Sequence, residues 1–141
     1  MALRISNQLL AQIRTHGELT YPEEGVGFLL GRSSDEQREV SQVLPAANAR
    51  ETTARATRYE ISVEETLAAE ETARNLKLEI IGIFHSHPDH LAYPSGSDQE
   101  SAIPWFTYVI TGIAKGKAGE SRAWRLSEDG LRFAEETIVA E

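Results

Sequence analysis

Residues 78–84 form an apolar, β-branched run that limits the possible folds more than any other segment. Its length and composition predict a central strand that is buried on both faces. Just before it, Ser62 and Glu65 form a capping-box pattern, which predicts a helix that begins after Ser62 and continues through an Ala- and Glu-rich run to Lys77. A helix that leads into a buried strand indicates a mixed α/β or α+β domain.

The rest of the chain also mixes helix and strand patterns. Ile5, Leu9 and Ile13 follow helical spacing, which predicts a first helix over residues 3–16 with Ser6 as its cap, and Pro22 disfavours its continuation. Strands are predicted at residues 25–31, 39–44, 108–113, 122–126 and 131–138, with turns at 33–38, 115–119 and 128–130 and a surface loop at 48–58. Because no repeat or linker interrupts this pattern, we expect a single domain over residues 1–141.

Composition excludes several classes of function. The 141 residues are 40% hydrophobic and 26% charged, as in an average globular protein. The chain has no cysteine, so disulfides, Cys-ligated zinc and thiol nucleophiles are excluded. A net charge of −8 disfavours a nucleic-acid partner. No stretch approaches the ~20 apolar residues of a membrane span, and residues 1–13 lack a signal-peptide pattern, so we expect a cytoplasmic protein.

Two histidines lie at the end of the predicted central strand, in the sequence Phe84-His85-Ser86-His87-Pro88. Residues two apart in a strand point to the same face, so the imidazoles of His85 and His87 are expected to lie side by side, spaced to share one ion. Pro88 cannot donate to a sheet ladder and is expected to end the strand. Two histidines at this spacing could equally lie on a surface or line a core without binding a metal. A third ligand is needed to favour a metal site.

Asp98 is the candidate third ligand, because it lies eleven residues after His87 and the loop between them contains Pro94 and Gly96, which can turn the chain back. Two His and one Asp leave a fourth position open on zinc, as in catalytic sites. Zinc there would lower the pKa of a bound water toward ~7 and polarise a carbonyl.

A competing interpretation of Ser95 and Asp98 is a capping box that starts a short helix near residues 101–102, and Ser97 with Glu100 matches the same pattern. The two interpretations are compatible, because a helix that starts here brings Ser95 and Asp98 onto neighbouring positions. Hydrolysis also needs a base, for which Glu23 and Glu24 are candidates, although a Glu pair on a turn is usually a solvated surface feature.

At these positions the sequence resembles the JAMM metallopeptidases, also called MPN+ or JAB1/MPN/Mov34. The family pattern has a Glu, a variable gap, His-x-His, ten residues and an Asp, with a Ser three residues before that Asp. Here His85-Ser86-His87 is followed by residues 88–97 and then by Asp98, with Ser95 in place. Upstream, residues 22–31 resemble the family's first strand, and that register selects Glu24 rather than Glu23.

The resemblance implies a fold and a role for each residue. The fold would be JAB1/MPN-like, a mixed curved β-sheet flanked by helices and related to the cytidine-deaminase-like fold. His85, His87 and Asp98 would ligate one Zn²⁺ per chain, with water in the fourth position. Glu24 would take the proton of that water as general base and return it to the leaving amine, and Ser95 would hydrogen-bond the oxyanion.

The family's typical substrates are ubiquitin or ubiquitin-like proteins, cut at the amide bond after a C-terminal Gly-Gly. Only residues 89–94 separate Pro88 from Ser95, so the chain resembles the compact stand-alone prokaryotic members, for which the implied substrate is a small β-grasp sulfur-carrier protein. Asp89, His90 and Trp105 are open candidates for substrate contact. The resemblance leaves the oligomeric state open, with a homodimer as one option.

Three other functions are weighed. A non-catalytic scaffold of the same fold typically lacks one or more ligands, whereas this chain has all of them. A RadC-like, DNA-associated protein has a similar motif, but the acidic charge and Ser86 in place of Asn between the histidines count against it. A nucleoside deaminase needs cysteine ligands that the chain does not have.

Overall fold

The computed structural model describes residues 2–34 and 36–141 of the chain. Asp35, which falls in the turn predicted at residues 33–38, lies outside the described residues, as does Met1. The described part has three α-helices, α1 (Asn7–Thr20), α2 (Val63–Asn75) and α3 (Gly96–Ser101). Its seven strands are β1 (Ala2–Ile5), β2 (Val26–Ser33), β3 (Gln37–Ala46), β4 (Glu79–Pro88), β5 (Thr107–Ala114), β6 (Lys117–Leu126) and β7 (Phe133–Ala140). The predicted mixed α/β class is confirmed.

One sheet contains all seven strands, in the order β1-β3-β2-β4-β5-β6-β7. The pairs β4–β5, β1–β3 and β1–β7 are parallel, and the other pairs are antiparallel. Because β1 pairs with both β3 and β7, the curvature of this mixed sheet closes it into a barrel. β4 is an interior strand, with β2 on one side and β5 on the other.

Neighbouring residues of β4 pack into two different apolar cores, because successive side chains of a strand point to opposite faces. Phe84 packs in the core that contains Ile13 of α1. Ile83 packs in the core that contains Ala69 and Ala73 of α2. Each large apolar side chain buried in this way stabilises the fold by about 1.5–3 kcal/mol. The prediction that the central strand is buried on both faces is therefore confirmed.

The first helix begins later than the sequence predicts. Leu3 and Ile5 belong to β1, where they are buried in alternation with their neighbours, so the prediction of helix at residues 3–5 is wrong. Ile5 fits helical spacing with Leu9 and also a period of two with Leu3, and pairing with β3 and β7 decides the outcome. The predicted cap is confirmed, since Ser6 Oγ accepts a 3.0 Å hydrogen bond from the Leu9 N–H.

The predicted strands are all present, some with different ends. β4 stops at Pro88, as predicted, and both histidines lie inside the strand. β6 begins at Lys117, within a predicted turn, because Lys115 and Gly116 with positive φ suffice to reverse the chain. Residues 48–58 form the predicted loop and include a 3₁₀ turn at Thr52–Ala54. Among the described residues, no helix combines the length and apolar character needed to cross a membrane.

Candidate active site

β4 and the first turn of α3 bring together His85, His87 and Asp98. The two imidazoles lie on the same face of β4, with ring centroids 5.1 Å apart. The His87 Nε2 atom lies 3.0 Å from Asp98 Oδ2, and the His85 Nε2 atom lies 3.1 Å from Asp98 Oδ1. Each of the three buried residues offers a ligand atom within 4.8 Å of the other two. The arrangement that the spacing predicts is therefore present.

His85 is buried in a way that keeps its ring neutral. Burial lowers the pKa of His85, and a neutral imidazole is the form that binds a metal. Neither ring nitrogen has an aligned hydrogen-bond partner among the described residues, so the 3.1 Å approach to Asp98 is an electrostatic contact. The Tyr59 ring packs against the His85 ring at 4.7 Å between centroids. A buried ring with free nitrogens beside a carboxylate suits a cation-binding site.

His87 and Asp98 hold each other in place. Burial would lower the pKa of His87, but the hydrogen bond and the charge of Asp98 outweigh it and raise that pKa. Burial would raise the pKa of Asp98, but the two histidines hold it well below its usual range, so the carboxylate is ionised. On its other side, the His87 Nδ1 atom lies 2.9 Å from the carbonyl oxygen of Leu91. Contacts of this kind fix the ring of a metal-binding histidine.

Ser95 is the N-cap of α3, in a capping box with Asp98. The Asp98 N–H donates to Ser95 Oγ at 3.1 Å, and the Ser95 N–H donates to Asp98 Oδ2 at 2.8 Å. α3 begins at Gly96, so the capping interpretation is confirmed for Ser95 and is wrong for Ser97. The same capping box orients the Asp98 carboxylate toward His85 and His87. Ser95 Oγ acts as acceptor in this box, which leaves its own O–H to donate elsewhere.

Glu24 lies two residues before β2 and is buried, with 4% of its surface exposed. Burial raises the pKa of Glu24 to about 8, against the charge of His87, which lowers it. Its Oε1 atom is buried without a hydrogen-bond partner among the described residues. Glu23 has a half-exposed side chain that lies 3.9 Å from an Arg55 nitrogen. Of the two glutamates, Glu24 is therefore the one that faces the site.

A cleft of about 570 Å³ opens above these residues, and Glu24, His87 and Ser95 form part of its lining. His90 also lines the cleft. Asp89 does not, because its two carboxylate oxygens accept hydrogen bonds from the Tyr21 hydroxyl at 2.6 Å and from the Lys115 N–H at 2.8 Å. The structure therefore brings Glu24 and Ser95 to the same opening as His87.

Neither Trp105 nor Trp124 is among the residues that line the cleft. Trp105 stacks on the guanidinium of Arg38, 4.1 Å from its ring centroid. Trp124 is buried, and its indole N–H donates to the carbonyl oxygen of Ala92 at 3.0 Å. Tyr93, in contrast, lines the cleft.

The loop at residues 48–58 forms part of the site that sequence patterns did not reveal. Ala56 and Thr57 line the same cleft as the residues that follow β4. The Glu24 N–H donates to the carbonyl oxygen of Arg55 at 2.7 Å, and the Asn48 side chain donates to the carbonyl oxygen of Glu24 at 3.1 Å. The polar, aperiodic sequence of this loop does not predict these contacts with Glu24, because each contact involves a main-chain group.

Comparison with known families gives one match across most of the chain. Residues 6–127 match the family described as prokaryotic homologs of the JAB domain. The chain is 34% identical over 118 residues to a desampylase of Pyrococcus furiosus, which covers 84% of this chain and 76% of that protein. It is 33% identical over 112 residues to the Thermus thermophilus protein named "probable TtuB-protein conjugate cleaving protease", covering 79% of this chain and 71% of that protein.

Solved structures resemble the fold over nearly the whole chain. A solution structure of a protein from Desulfitobacterium hafniense has a TM-score of 0.85 at 25% identity and covers 99% of this chain and 92% of its own. A solution structure of a protein from Salinibacter ruber has a TM-score of 0.77 at 40% identity and covers 98% of this chain and 91% of its own. The chain belongs to the prokaryotic JAB-domain family and is a hydrolase of the JAMM type.

Proposed function

We propose that the protein is a zinc-dependent isopeptidase that hydrolyses the amide bond after the C-terminal Gly-Gly of a ubiquitin-like or sulfur-carrier β-grasp protein. The observation that carries this proposal is the meeting of His85, His87 and Asp98 beside a cleft that His87 and the buried Glu24 both line. The roles of these residues, the metal and the substrate are all parts of the proposal.

The donor set fits one Zn²⁺ per chain. Two imidazole nitrogens and a carboxylate oxygen, all within 4.8 Å of one another, match the three protein ligands of catalytic zinc sites. His85 is neutral and Asp98 is ionised, which are the protonation states that coordination requires. Zn²⁺ held by these residues would supply an acidified water and polarise the scissile carbonyl.

Glu24 acts as the proton carrier in this proposal. Its carboxylate accepts a proton from the attacking water and delivers it to the amine that leaves. With a pKa near 8 before a cation is bound, the buried carboxylate is a stronger base than an exposed Glu, which suits it to this task. Such acid–base work typically contributes ~10²–10⁴-fold to the rate.

Ser95 donates a hydrogen bond from its hydroxyl to the oxyanion that develops on the scissile carbonyl. The hydroxyl oxygen already accepts the Asp98 N–H, which fixes the position of Oγ at the cleft wall without using its proton. A single donor of this kind is worth about 10²–10³-fold in kcat in other hydrolases. Structural capping and oxyanion stabilisation are thus two uses of one side chain.

The substrate class is supported by the relatives and by the shape of the cleft. A protein named for cleavage of TtuB-protein conjugates and two named desampylase share 30–34% identity with this chain. The cleft is open to the surface, and its lining includes Ala56 and Thr57 of the loop at residues 48–58 together with Leu91 and Tyr93. A flexible tail that ends in two glycines, which have no side chains, fits such a cleft.

The test uses a panel of β-grasp carrier proteins, each with a short peptide fused after its Gly-Gly. Each fusion is incubated with the zinc-loaded protein, with and without a chelator, and the masses of the products are measured by intact mass spectrometry. The proposal expects at least one carrier to be cut after Gly-Gly only in the absence of chelator, and zinc to restore cleavage after chelation. Cleavage that persists in chelator, or cleavage at other bonds alone, would contradict it.

A further inference from the structure

The main-chain N–H and carbonyl oxygen of Glu24 make their hydrogen bonds to the loop at residues 48–58 and not to a neighbouring strand. Glu24 precedes β2, so strand pairing does not hold its backbone. Its N–H donates to Arg55 and its carbonyl oxygen accepts from Asn48 Nδ2 at 3.1 Å. No hydrogen bond holds its buried Oε1 among the described residues. The place of the carboxylate therefore depends on these backbone contacts.

The Asn48 side chain uses its full hydrogen-bonding capacity on backbone groups. Its amide nitrogen donates to the carbonyl oxygens of Glu24 at 3.1 Å and Arg58 at 2.9 Å. Its amide oxygen accepts from the N–H of Arg50 at 3.1 Å and from the N–H of Glu60 at 3.2 Å. A carboxamide has two donor hydrogens and two acceptor lone pairs, so every one is engaged. Among the hydrogen-bonding side chains of this size, only Asn has that combination.

Resting on the proposed function, we propose that Asn48 is a positioning residue that sets where the Glu24 carboxylate stands in the cleft. The same amide joins both ends of the segment that contains Ala56 and Thr57, so it fixes the base and the cleft wall together. A displacement of about 1 Å in a reacting group can reduce turnover by about 10²-fold. Asn48 itself touches neither the histidines nor Asp98 in the hydrogen bonds of the site.

The test variant is Asn48→Asp, which keeps the size of the side chain. A carboxylate can still accept from Arg50 and Glu60, but it cannot donate to the two carbonyl oxygens and it repels them. Asn75→Asp is the matched control, because it introduces the same charge at an exposed position at the end of α2. Asn48→Ala is the second variant, which removes the contacts without adding a charge.

Three readouts separate positioning from a general loss of stability. We expect Asn48→Asp to lower kcat by about 10–100-fold while KM changes less than about 3-fold and zinc content stays at the wild-type level. We also expect faster amide hydrogen exchange at residues 23–25, without faster exchange in the strand segment 81–84. Asn48→Ala is expected to change the same quantities in the same direction, and Asn75→Asp to leave them unchanged.

Two results would overturn the assignment. In one, both Asn48 variants match the control in kcat and in exchange at residues 23–25. In the other, exchange accelerates equally in all strands and kcat falls only in proportion to the unfolded fraction, which indicates a purely structural residue. The exchange measurement does not depend on substrate. If the wild-type protein cuts no carrier, the proposed function fails while the effect of Asn48 on Glu24 is still decided.

Discussion

Ser86 and Gly25 exchange two hydrogen bonds across β4 and the start of β2. The Gly25 N–H donates to Ser86 Oγ at 2.7 Å, and the Ser86 N–H donates to the carbonyl oxygen of Gly25 at 3.0 Å. Ser86 lies between the two histidines but faces the opposite side of the strand, where Gly17 of α1 packs on it. Because Gly25 follows Glu24 directly, this pair joins the strand that carries His85 and His87 to the residue that carries the carboxylate.

The variant Ser86→Ala tests this connection. Removal of the hydroxyl leaves the buried Gly25 N–H without its partner, which costs about 1–3 kcal/mol of stability. We expect kcat to fall by about 10-fold while zinc content is unchanged, because the groups that face the metal site are intact. Ser121→Ala is the control, since it also loses a 2.7 Å hydroxyl hydrogen bond, to Thr111. Equal turnover in both variants, measured well below their unfolding temperatures, would contradict the connection.

Ser95→Ala separates capping from catalysis. The variant loses the cap of α3, which costs about 0.5–2 kcal/mol, and it loses the proposed oxyanion donor, which reduces kcat by about 10²–10³-fold. Ser62→Ala is a matched control, because Ser62 caps α2 in the same way by accepting from the Glu65 N–H. Thermal unfolding is expected to shift similarly in both variants. A kcat in Ser95→Ala as high as in Ser62→Ala would remove Ser95 from the mechanism.

Asp98→Asn tests the third ligand with little change of shape. An Asn side-chain oxygen can still accept the Ser95 N–H, so α3 keeps most of its cap. The loss of the negative charge between His85 and His87 is expected to weaken zinc affinity by more than the ~10–100-fold that outer contacts of metal sites contribute. Competition with a chromophoric chelator measures this affinity. Full zinc occupancy at wild-type affinity in Asp98→Asn would contradict the ligand assignment.

The buried Glu24 makes the stability of the metal-free protein depend on pH. Burial raises its pKa from 4.5 to about 8, so between these values the folded chain binds more protons than the unfolded chain. The contribution of Glu24 to the free energy of unfolding therefore falls as pH rises from about 4.5 to about 8. In Glu24→Gln this fall is absent, so the stability of the variant relative to wild type is expected to rise with pH by an amount on the order of 1–4 kcal/mol.

Urea unfolding of zinc-stripped protein at pH 5 and pH 8 measures this difference. Glu23→Gln is the control, because it removes the neighbouring carboxylate, which is half-exposed. A stability difference between Glu24→Gln and wild type that is the same at both pH values would show that the buried environment of Glu24 does not shift its proton binding.

The sequence predicts the site better than it predicts the ends of the elements. The spacing of His85, His87 and Asp98 predicts that the three side chains meet. Residues two apart share a strand face, and the loop with Pro94 and Gly96 can turn the chain back toward that face. The start of the fold is different. Ile5 fits a helical period with Leu9 and a strand period with Leu3, and only the pairing of β1 with β3 and β7 decides between them.

The sequence does not predict the hydrogen bonds that hold the backbone of Glu24. Arg55 contacts Glu24 through its main-chain carbonyl oxygen, and the Asn48 side chain contacts the main-chain carbonyl oxygen of Glu24, so neither contact depends on a spacing of residues that the sequence displays. The resemblance to the JAMM family selects Glu24 over Glu23 from the Pro-x-Glu-x-x-Gly register, and the burial of Glu24 in the structure agrees with that choice. The closure of the sheet into a barrel was also outside the prediction, because it depends on the parallel pairing of β1 with β7.

The most direct test of the central claim compares zinc-loaded wild type with zinc-loaded Glu24→Gln on a single fusion of a β-grasp carrier, by intact mass and by metal analysis of the same samples. Glutamine keeps the shape of the side chain but cannot take a proton from water. The account predicts equal zinc in both proteins, release of a carrier that ends in Gly-Gly by the wild type, and a rate in the variant lower by about 10²–10⁴-fold. Equal rates of cleavage in two equally zinc-loaded proteins would contradict it.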